Sequence, residues 1–462
     1  MKNIKKRTVL LVLCIIVLIV SGCAADNDTG SINETHEADE IPVLTSDVNN
    51  DAAQNEGNQS EQNNEEEDKK PRNSESENTG ENRQYTVEQA TSDRGQLNTI
   101  AFSGLAFITG TSGADSFFPP GKVADFFGFQ YMRDNDKNGL GHNTTFLTIA
   151  STNVLHILND EQRAKLIELA VQQESLFEDF ALGRFTMMIS FRDYMEGNYP
   201  KGMKLDREIV AEYSASLYEI DARLSYERAL VMGEIIASFT DEQKAYFEDL
   251  DFYDSSTWPI IENGEDVIDK KSMSHTEHVA VMTYASELFS WYLGNIDADA
   301  YFCPERHGTY FGGFYMKDYH AMGNPDYFIS TTITGDSGEE FLNILNEEQR
   351  AYVTNIIDEQ RDNLNRIVEI RYAVSNELRK SMSGQVVDKD MVFNLIKEYG
   401  YLEGEMSYMY AKAFAEVKKT LSDEQLEELY KLRNLDIYPE GAFLFSTPID
   451  MPEIDDNERL FR

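Results

Sequence analysis

A chain of 462 residues with 82 acidic against 41 basic side chains, net charge −41, repels nucleic acid and anionic lipid headgroups alike. The charged species it can attract are cationic proteins and divalent metal ions. Its three cysteines are too few for a disulfide framework, so stability has to come from packing.

The first residues include Lys2, Lys5, Lys6 and Arg7, then an uncharged run from Val9 to Val20, then Ser21-Gly22-Cys23. A basic n-region, a short apolar h-region and small residues before a cut read as a signal peptide over 1–22, not a spanning helix. Val20-Ser21-Gly22-Cys23 resembles the bacterial lipobox. That resemblance implies a Cys23 carrying two acyl chains, an anchor stable enough to hold the protein on the outer side of a bacterial membrane. Cys14 leaves with the signal, and Cys303 is then the single free thiol.

Residues 23–95 are a different material, dominated by Asp, Glu, Asn, Ser, Gln and Thr with few aromatics. Such a segment cannot bury enough apolar surface to offset its ordering entropy, and it reads as a disordered acidic tether. A flexible chain of that length spans roughly 45–50 Å r.m.s., and repulsion among its acids extends it. Residues 24–95 hold 19 acids and 5 bases, so most of the negative charge belongs to the part expected to fold.

Beyond about Gln96 the chain is organised by a phrase that occurs four times: Leu158-Asn159-Asp160-Glu161-Gln162, Phe239-Thr240-Asp241-Glu242-Gln243, Leu345-Asn346-Glu347-Glu348-Gln349 and Leu421-Ser422-Asp423-Glu424-Gln425. Each is a helix start. The small polar residue caps a free backbone N–H, Gln three positions on reaches back to the cap, and two acids sit at the positive end of the helix dipole. Only Leu421 and Leu426 could add a hydrophobic staple. Four such starts in fixed order make a repeat.

A second pair of blocks has the same order. Phe117-Phe118-Pro119-Pro120 matches Tyr301-Phe302-Cys303-Pro304, and Phe126–Asp134 matches Tyr310–Asp318. After the first cap of each copy the apolar positions step by four and three. They are Leu166, Ala170, Gln173, Phe177, Phe180, Arg184, Met187 and Phe191 in one copy. In the other they are Val353, Ile357, Gln360, Leu364, Ile367, Arg371, Val374 and Leu378. That rhythm is a coiled-coil-like seam, with Gln and Arg at the same two places in both. Gly197-Asn198-Tyr199-Pro200 ends one arm and Ser383-Gly384 the other. A second long helix is predicted from about Asp206 to Ser238, and again from about Asp388 to Thr420. The expected fold is all-α: two tandem long-helical-hairpin units, the first with its connector over 96–298 and the second over 299–462.

This order resembles the Spy/CpxP family of periplasmic proteins, whose signature is L-T-x-x-Q. The phrase maps onto Leu158–Gln162, Phe239–Gln243, Leu345–Gln349 and Leu421–Gln425; only the second keeps Thr. The resemblance covers roughly 158–250 and 345–435. It implies a thin helical cradle, usually dimeric, and a role as an ATP-independent chaperone, an envelope-stress regulator or a metal-responsive sensor. Two linked copies would make a monomeric pseudo-dimer. The best-known chaperone members use a basic concave face. In this acidic chain, capture by charge favours unfolded or basic protein clients, or gives way to apolar contact. A sensor protein is the other kind of partner implied.

Candidate chemistry is sparse. Buried seam arginines need acids, and aligning the second arms on their following caps superposes Asp221 and Glu403. The expected structural pairs are therefore Arg184–Asp221 and Arg371–Glu403. Cys303 and His307 lie four apart, and with His275, His278 and His320 they could hold zinc or copper; the alternative is a semi-buried thiol among surface histidines. Asp134, Asp136 and Asn138 alternate as in the first half of a calcium loop, though Thr145 stands where the bidentate Glu belongs; the alternative is a polar turn. The aromatic blocks read as core or as a client groove. No nucleophile elbow, phosphate loop or dinucleotide fingerprint occurs, so the reading is a non-catalytic binding protein, with a metal-binding or metal-sensing lipoprotein as the alternative.

Overall fold

The structure, a computed structural model, describes residues 91–110, 145–252, 254–261, 268–294, 335–433, 442–444, 447–449 and 457–462. The signal, Cys23, nearly all of the tether and both aromatic blocks lie outside the described residues. So do Asp134, Asp136, Asn138, Cys303, His307 and His320.

In chain order the helices are α1 (Asp93–Thr109), α2 (Thr145–Ile157), the long arm α3 (Asp160–Glu196), its return arm α4 (Arg207–Ala237) and α5 (Asp241–Glu248). There follow α6 (His275–Leu293), α7 (Gly335–Ile344), α8 (Glu347–Thr354), α9 (Ile356–Arg379), α10 (Lys389–Thr420) and α11 (Asp423–Arg433). A small antiparallel hairpin, β1 (Ala442–Leu444) and β2 (Thr447–Ile449), pairs Phe443 opposite Pro448. The described residues are all-α apart from that hairpin.

All four capping phrases form closed boxes. Asn159, Thr240, Asn346 and Ser422 each accept from the backbone N–H of the Gln three residues on, and each Gln side chain accepts from the cap N–H. The arm ends also fall where the sequence places them. Gly197 and Gly384 close α3 and the turn after α9 in the left-handed region, with φ of 78° and 69°, a conformation that costs glycine little. Asp206 and Asp388 cap the return arms, each accepting from the backbone N–H three residues later. The arm predicted as continuous after Gln349 has one irregular turn, at Asn355 between α8 and α9.

The capping glutamines do more than cap, and they meet in pairs. Gln162 donates from Nε2 to Ser238 Oγ at 2.8 Å, and Gln243 donates to Gln162 Oε1 at 2.6 Å and to the Ile157 carbonyl at 2.9 Å. In the later half, Gln349 donates to the Thr420 carbonyl and Gln425 to the Ile344 carbonyl, both at 2.8 Å, and Gln425 Nε2 also reaches Gln349 Oε1 at 2.8 Å. Ile157, Ile344 and Thr420 are the last residues of their helices, where carbonyls have no intrahelical donor. Three of the phrases thus start one helix and satisfy the end of another, and in the fourth Gln162 meets the Ser238 hydroxyl at the C-cap of α4.

Of the sixteen seam positions, fifteen are buried and Ile357 is half-buried. Packing of α3 on α4 and of α9 on α10 accounts for part of this. The most extensive contact, however, joins the two return arms, α4 and α10. It is possible because Gly400 and Gly404, spaced one turn apart on α10, leave room for α4. A Cβ at Gly404 would stand 2.7 Å from Ala211 Cα, and one at Gly400 would stand 2.5 Å from Tyr218 Cβ. The described residues all fall within one compact unit.

The chain also interleaves through its shorter helices. α6 packs on α2 and α3, whereas α1 packs chiefly on α7, with further contacts on α10, α11, α8 and α9. Residues 457–462 return to the turn between α3 and α4. There Lys204 and Arg462 exchange backbone hydrogen bonds of 2.8 Å, and Phe461 stacks on Tyr199 at 5.2 Å.

Replacing Gln349 by Ala leaves the half-covered Thr420 carbonyl without its side-chain donor and removes the cap acceptor. We expect a loss of about 1–2 kcal/mol, read as a lower urea midpoint at unchanged m-value. A loss under about 0.5 kcal/mol would show the amide pair to be incidental.

Candidate functional site

Among the described residues, buried charge gathers where α3, α4 and α10 meet. Glu403, fully buried on α10, takes Arg184 of α3 as a two-pronged partner: Nη2 lies 2.7 Å from Oε1, and Nη1 donates to Oε2 at 2.9 Å. Ser214 of α4 donates to Oε2 at 2.8 Å and Ser407 to Oε1 at 3.3 Å. Four donors on one carboxylate offset much of the cost of taking it out of water.

This arrangement corrects the pairing expected from sequence. Glu403 was to serve Arg371 and Asp221 was to serve Arg184, each within its own hairpin. The structure closes Arg184 on Glu403 across the two hairpins instead. The reason is steric: the glycine-lined crossing of α4 and α10 brings Glu403 against Ser214, and α3 delivers Arg184 to the same place. Arg371, fully buried, donates to Tyr399 Oη at 3.2 Å and lies 5.4 Å from that ring's centre. Tyr399 meets Tyr218 edge-on at 4.8 Å, and Asp221 lies fully buried one turn along α4.

A second buried ion pair was not anticipated. Arg228 of α4 donates to Glu287 of α6 at 2.9 Å, with both side chains 2% exposed. Glu287 is the only acid between Val279 and Leu293, and a lone acid in an apolar helix is the signal that could have found it. The seam glutamines have partners of the same kind. Tyr284 of α6 donates to Gln173 Oε1 at 2.6 Å, and Tyr410 donates to Gln360 Oε1 at 2.7 Å. Burial pushes both phenols well above their ordinary range. Both therefore stay O–H donors at any physiological pH.

The metal candidates are only partly placed. His275 opens α6 and His278 lies buried one turn on. Among the described residues no group of three His, Cys, Asp or Glu side chains is arranged to hold a metal ion. The remaining ligands of both proposed metal sites are outside the described residues.

Large apolar side chains that reach solvent, among them Val171, Leu182, Met203, Ile260, Val386, Met391 and Tyr430, are scattered over several helices and turns. Singly exposed apolar residues of this kind are ordinary surface. Among the described residues no helix is long and apolar enough to cross a membrane. Comparison with family models, with curated proteins and with solved structures finds no match.

Removing one partner of the central pair should cost far more than removing both. Glu403→Ala is expected to lower stability by about 3–5 kcal/mol, and the Arg184→Met, Glu403→Leu double variant to recover most of it. Denaturation midpoints for the four forms of the cycle test this; strictly additive losses would remove the pair's special role.

Proposed function

We propose that this is an extracytoplasmic binding protein, lipid-anchored at Cys23 and non-catalytic. In this reading the Spy/CpxP-like hairpin is present twice, in tandem, and serves a chaperone-like or envelope-stress role. The observation that carries it is the repeated amide pair. Gln162 with Gln243, and Gln349 with Gln425, close the open ends of two hairpins in the same way and at matched places in the chain. Matching contacts recur elsewhere. Arg163 and Arg350, each directly after its Gln, both reach back to carbonyls at the end of the preceding helix. Arg192 donates to the Gly110 carbonyl at 2.8 Å and Arg379 donates to the Gly294 carbonyl at 2.8 Å, at corresponding positions after each seam. A duplicated hairpin accounts for all of these at once.

Such a protein works by holding surface, not by making bonds. Its acidic exterior favours cationic clients and repels the anionic membrane to which the lipid attaches it. The test is aggregation of denatured proteins at low ionic strength in the presence of the soluble Cys23→Ser chain. A basic client should be protected at near-stoichiometric amounts, an acidic client much less, and added salt should weaken the protection. No protection of either client would end the chaperone reading. Stoichiometric metal in protein purified without chelator, lost in Cys303→Ser, would move the assignment to metal sensing.

A further inference from the structure

At the turn between α3 and α4 the charge balance of the chain reverses. Residues 197–205, with the tail 457–462 that returns to them, carry Lys201, Lys204, Arg459 and Arg462 against a single acid, Glu458. In the whole chain acids outnumber bases 82 to 41. All four bases are exposed. Among the described residues Lys201 and Lys204 have no ion-pair partner, Arg459 lies 4.7 Å from the centre of the Tyr213 ring, and Arg462 approaches Asp206 at 3.6 Å with its side chain 70% exposed. Acids close by have partners of their own: Glu405 pairs with Arg207 at 2.9 Å, Glu416 with Lys419 at 2.7 Å, and Glu196 accepts from Asn198 at 3.0 Å. Glu208 and Glu212 lie near Tyr401, on the α10 side. The surface is also fixed in shape. Gly202 takes a φ of 92°, the Met203 N–H donates to the Pro200 carbonyl at 3.0 Å, and Tyr194, Tyr199 and Phe461 stack in series at 5.7 and 5.2 Å. Met203 stands exposed between the two lysines. The matching turn of the second hairpin has none of this: residues 383–388 hold no base, and Lys380 is bound to Glu377 at 2.6 Å.

We propose that this end of the first hairpin is a docking surface for an anionic lipid bilayer, with Lys201, Lys204, Arg459 and Arg462 among the headgroup phosphates and Met203 at the acyl boundary. The inference goes beyond the binding role above and does not depend on it. Charge complementarity and position carry it. The arm α3 has 37 residues and runs roughly 55 Å, so the basic turn stands at the end of a long rod. Charges act across water over only about 8 Å at physiological ionic strength. A bilayer approached end-on therefore meets the bases, while acids farther along the arms are screened. Approached on another face it meets net negative charge and is repelled, so the same acidity that opposes binding orients it. An apolar side chain flanked by lysines suits the boundary between headgroups and acyl chains, where stem and charge separate. Single-stranded nucleic acid fits less well. It binds by stacking on open rings, and here the rings stack on one another, with Phe461 5% exposed.

The test is vesicle flotation of the full chain carrying Cys23→Ser, so that no acyl chain contributes. It should bind vesicles of equal parts phosphatidylcholine and phosphatidylglycerol at least about tenfold more tightly than phosphatidylcholine alone, and added salt should remove the difference. Adding Lys201→Glu with Lys204→Glu should weaken binding to the mixed vesicles at least about tenfold. Lys244→Glu with Lys271→Glu makes the same change in net charge on exposed bases away from the turn, and should leave binding nearly unchanged. All these chains share the apolar run Val9–Val20, so any pull it exerts is common to them. Met203→Ser should weaken vesicle binding about threefold. Far-UV circular dichroism establishes that each variant keeps its helices. Equal losses in the two lysine variants, or equal binding to both kinds of vesicle, overturn the proposal. Retention on immobilised polyglutamate without binding to vesicles also overturns it, and assigns the turn to an acidic protein instead. Vesicle binding at the turn without protection of any denatured client would retain the docking surface and remove the chaperone reading alone.

Discussion

Glu403 is a carboxylate with no access to water, and the middle of the fold is built to receive it. Three helices contribute donors: Arg184 from α3, Ser214 from α4 and Ser407 from α10 itself. Ser214 meets it only because α4 and α10 approach to backbone distance, and Gly404 is what permits that. A buried ion pair of this kind adds little net stability over an apolar cluster of the same volume, because desolvation consumes most of the Coulomb gain. Its effect is on specificity. A slip of α10 by one turn along α4 would leave two charges without compensation, so the helices have one register.

The same logic runs outward from the centre. A seam made only of leucine and phenylalanine tolerates sliding, whereas a buried amide or guanidinium fixes position. Gln173 and Gln360 pin the docked helices α6 and α1, and the paired capping glutamines pin the hairpin ends. The polar residues in these seams are therefore not defects in an apolar stripe.

Much of this was legible in the sequence because it is local. A cap is decided by residues three apart, an arm's end by a glycine able to adopt positive φ, and a buried face by a period near 3.5. Hence Asp206, Gly197, Gly384 and Asp388 fall where the pattern places them. Partner choice was not legible, because it is decided between segments far apart in sequence. Nothing within 184–221 indicates that Arg184 will cross to residue 403. The Gly400-Tyr401-Leu402-Glu403-Gly404 spacing is a sign of close helix approach that could have been read, with small residues Ala211 and Ser214 as its counterpart. α6 falls in the connector expected within 96–298; its fifteen residues from Val279 show no one-sided pattern, since a helix covered on most sides loses amphipathic period.

Interleaving has a consequence for how the molecule can respond. α1 touches the later hairpin while the Gly110 carbonyl that follows it is held by Arg192 of the earlier one. α6 touches the earlier hairpin while the Gly294 carbonyl is held by Arg379 of the later one. Phe461, near the last residue, stacks at the turn between α3 and α4. Each half is completed by pieces of the other, so loosening any one joint withdraws support from both. Two independent cradles on a string would open one at a time and with low cooperativity. An interleaved pair couples the seams energetically, and anything that lifts α1 from the later hairpin also works against the grip of Arg192 on the earlier one.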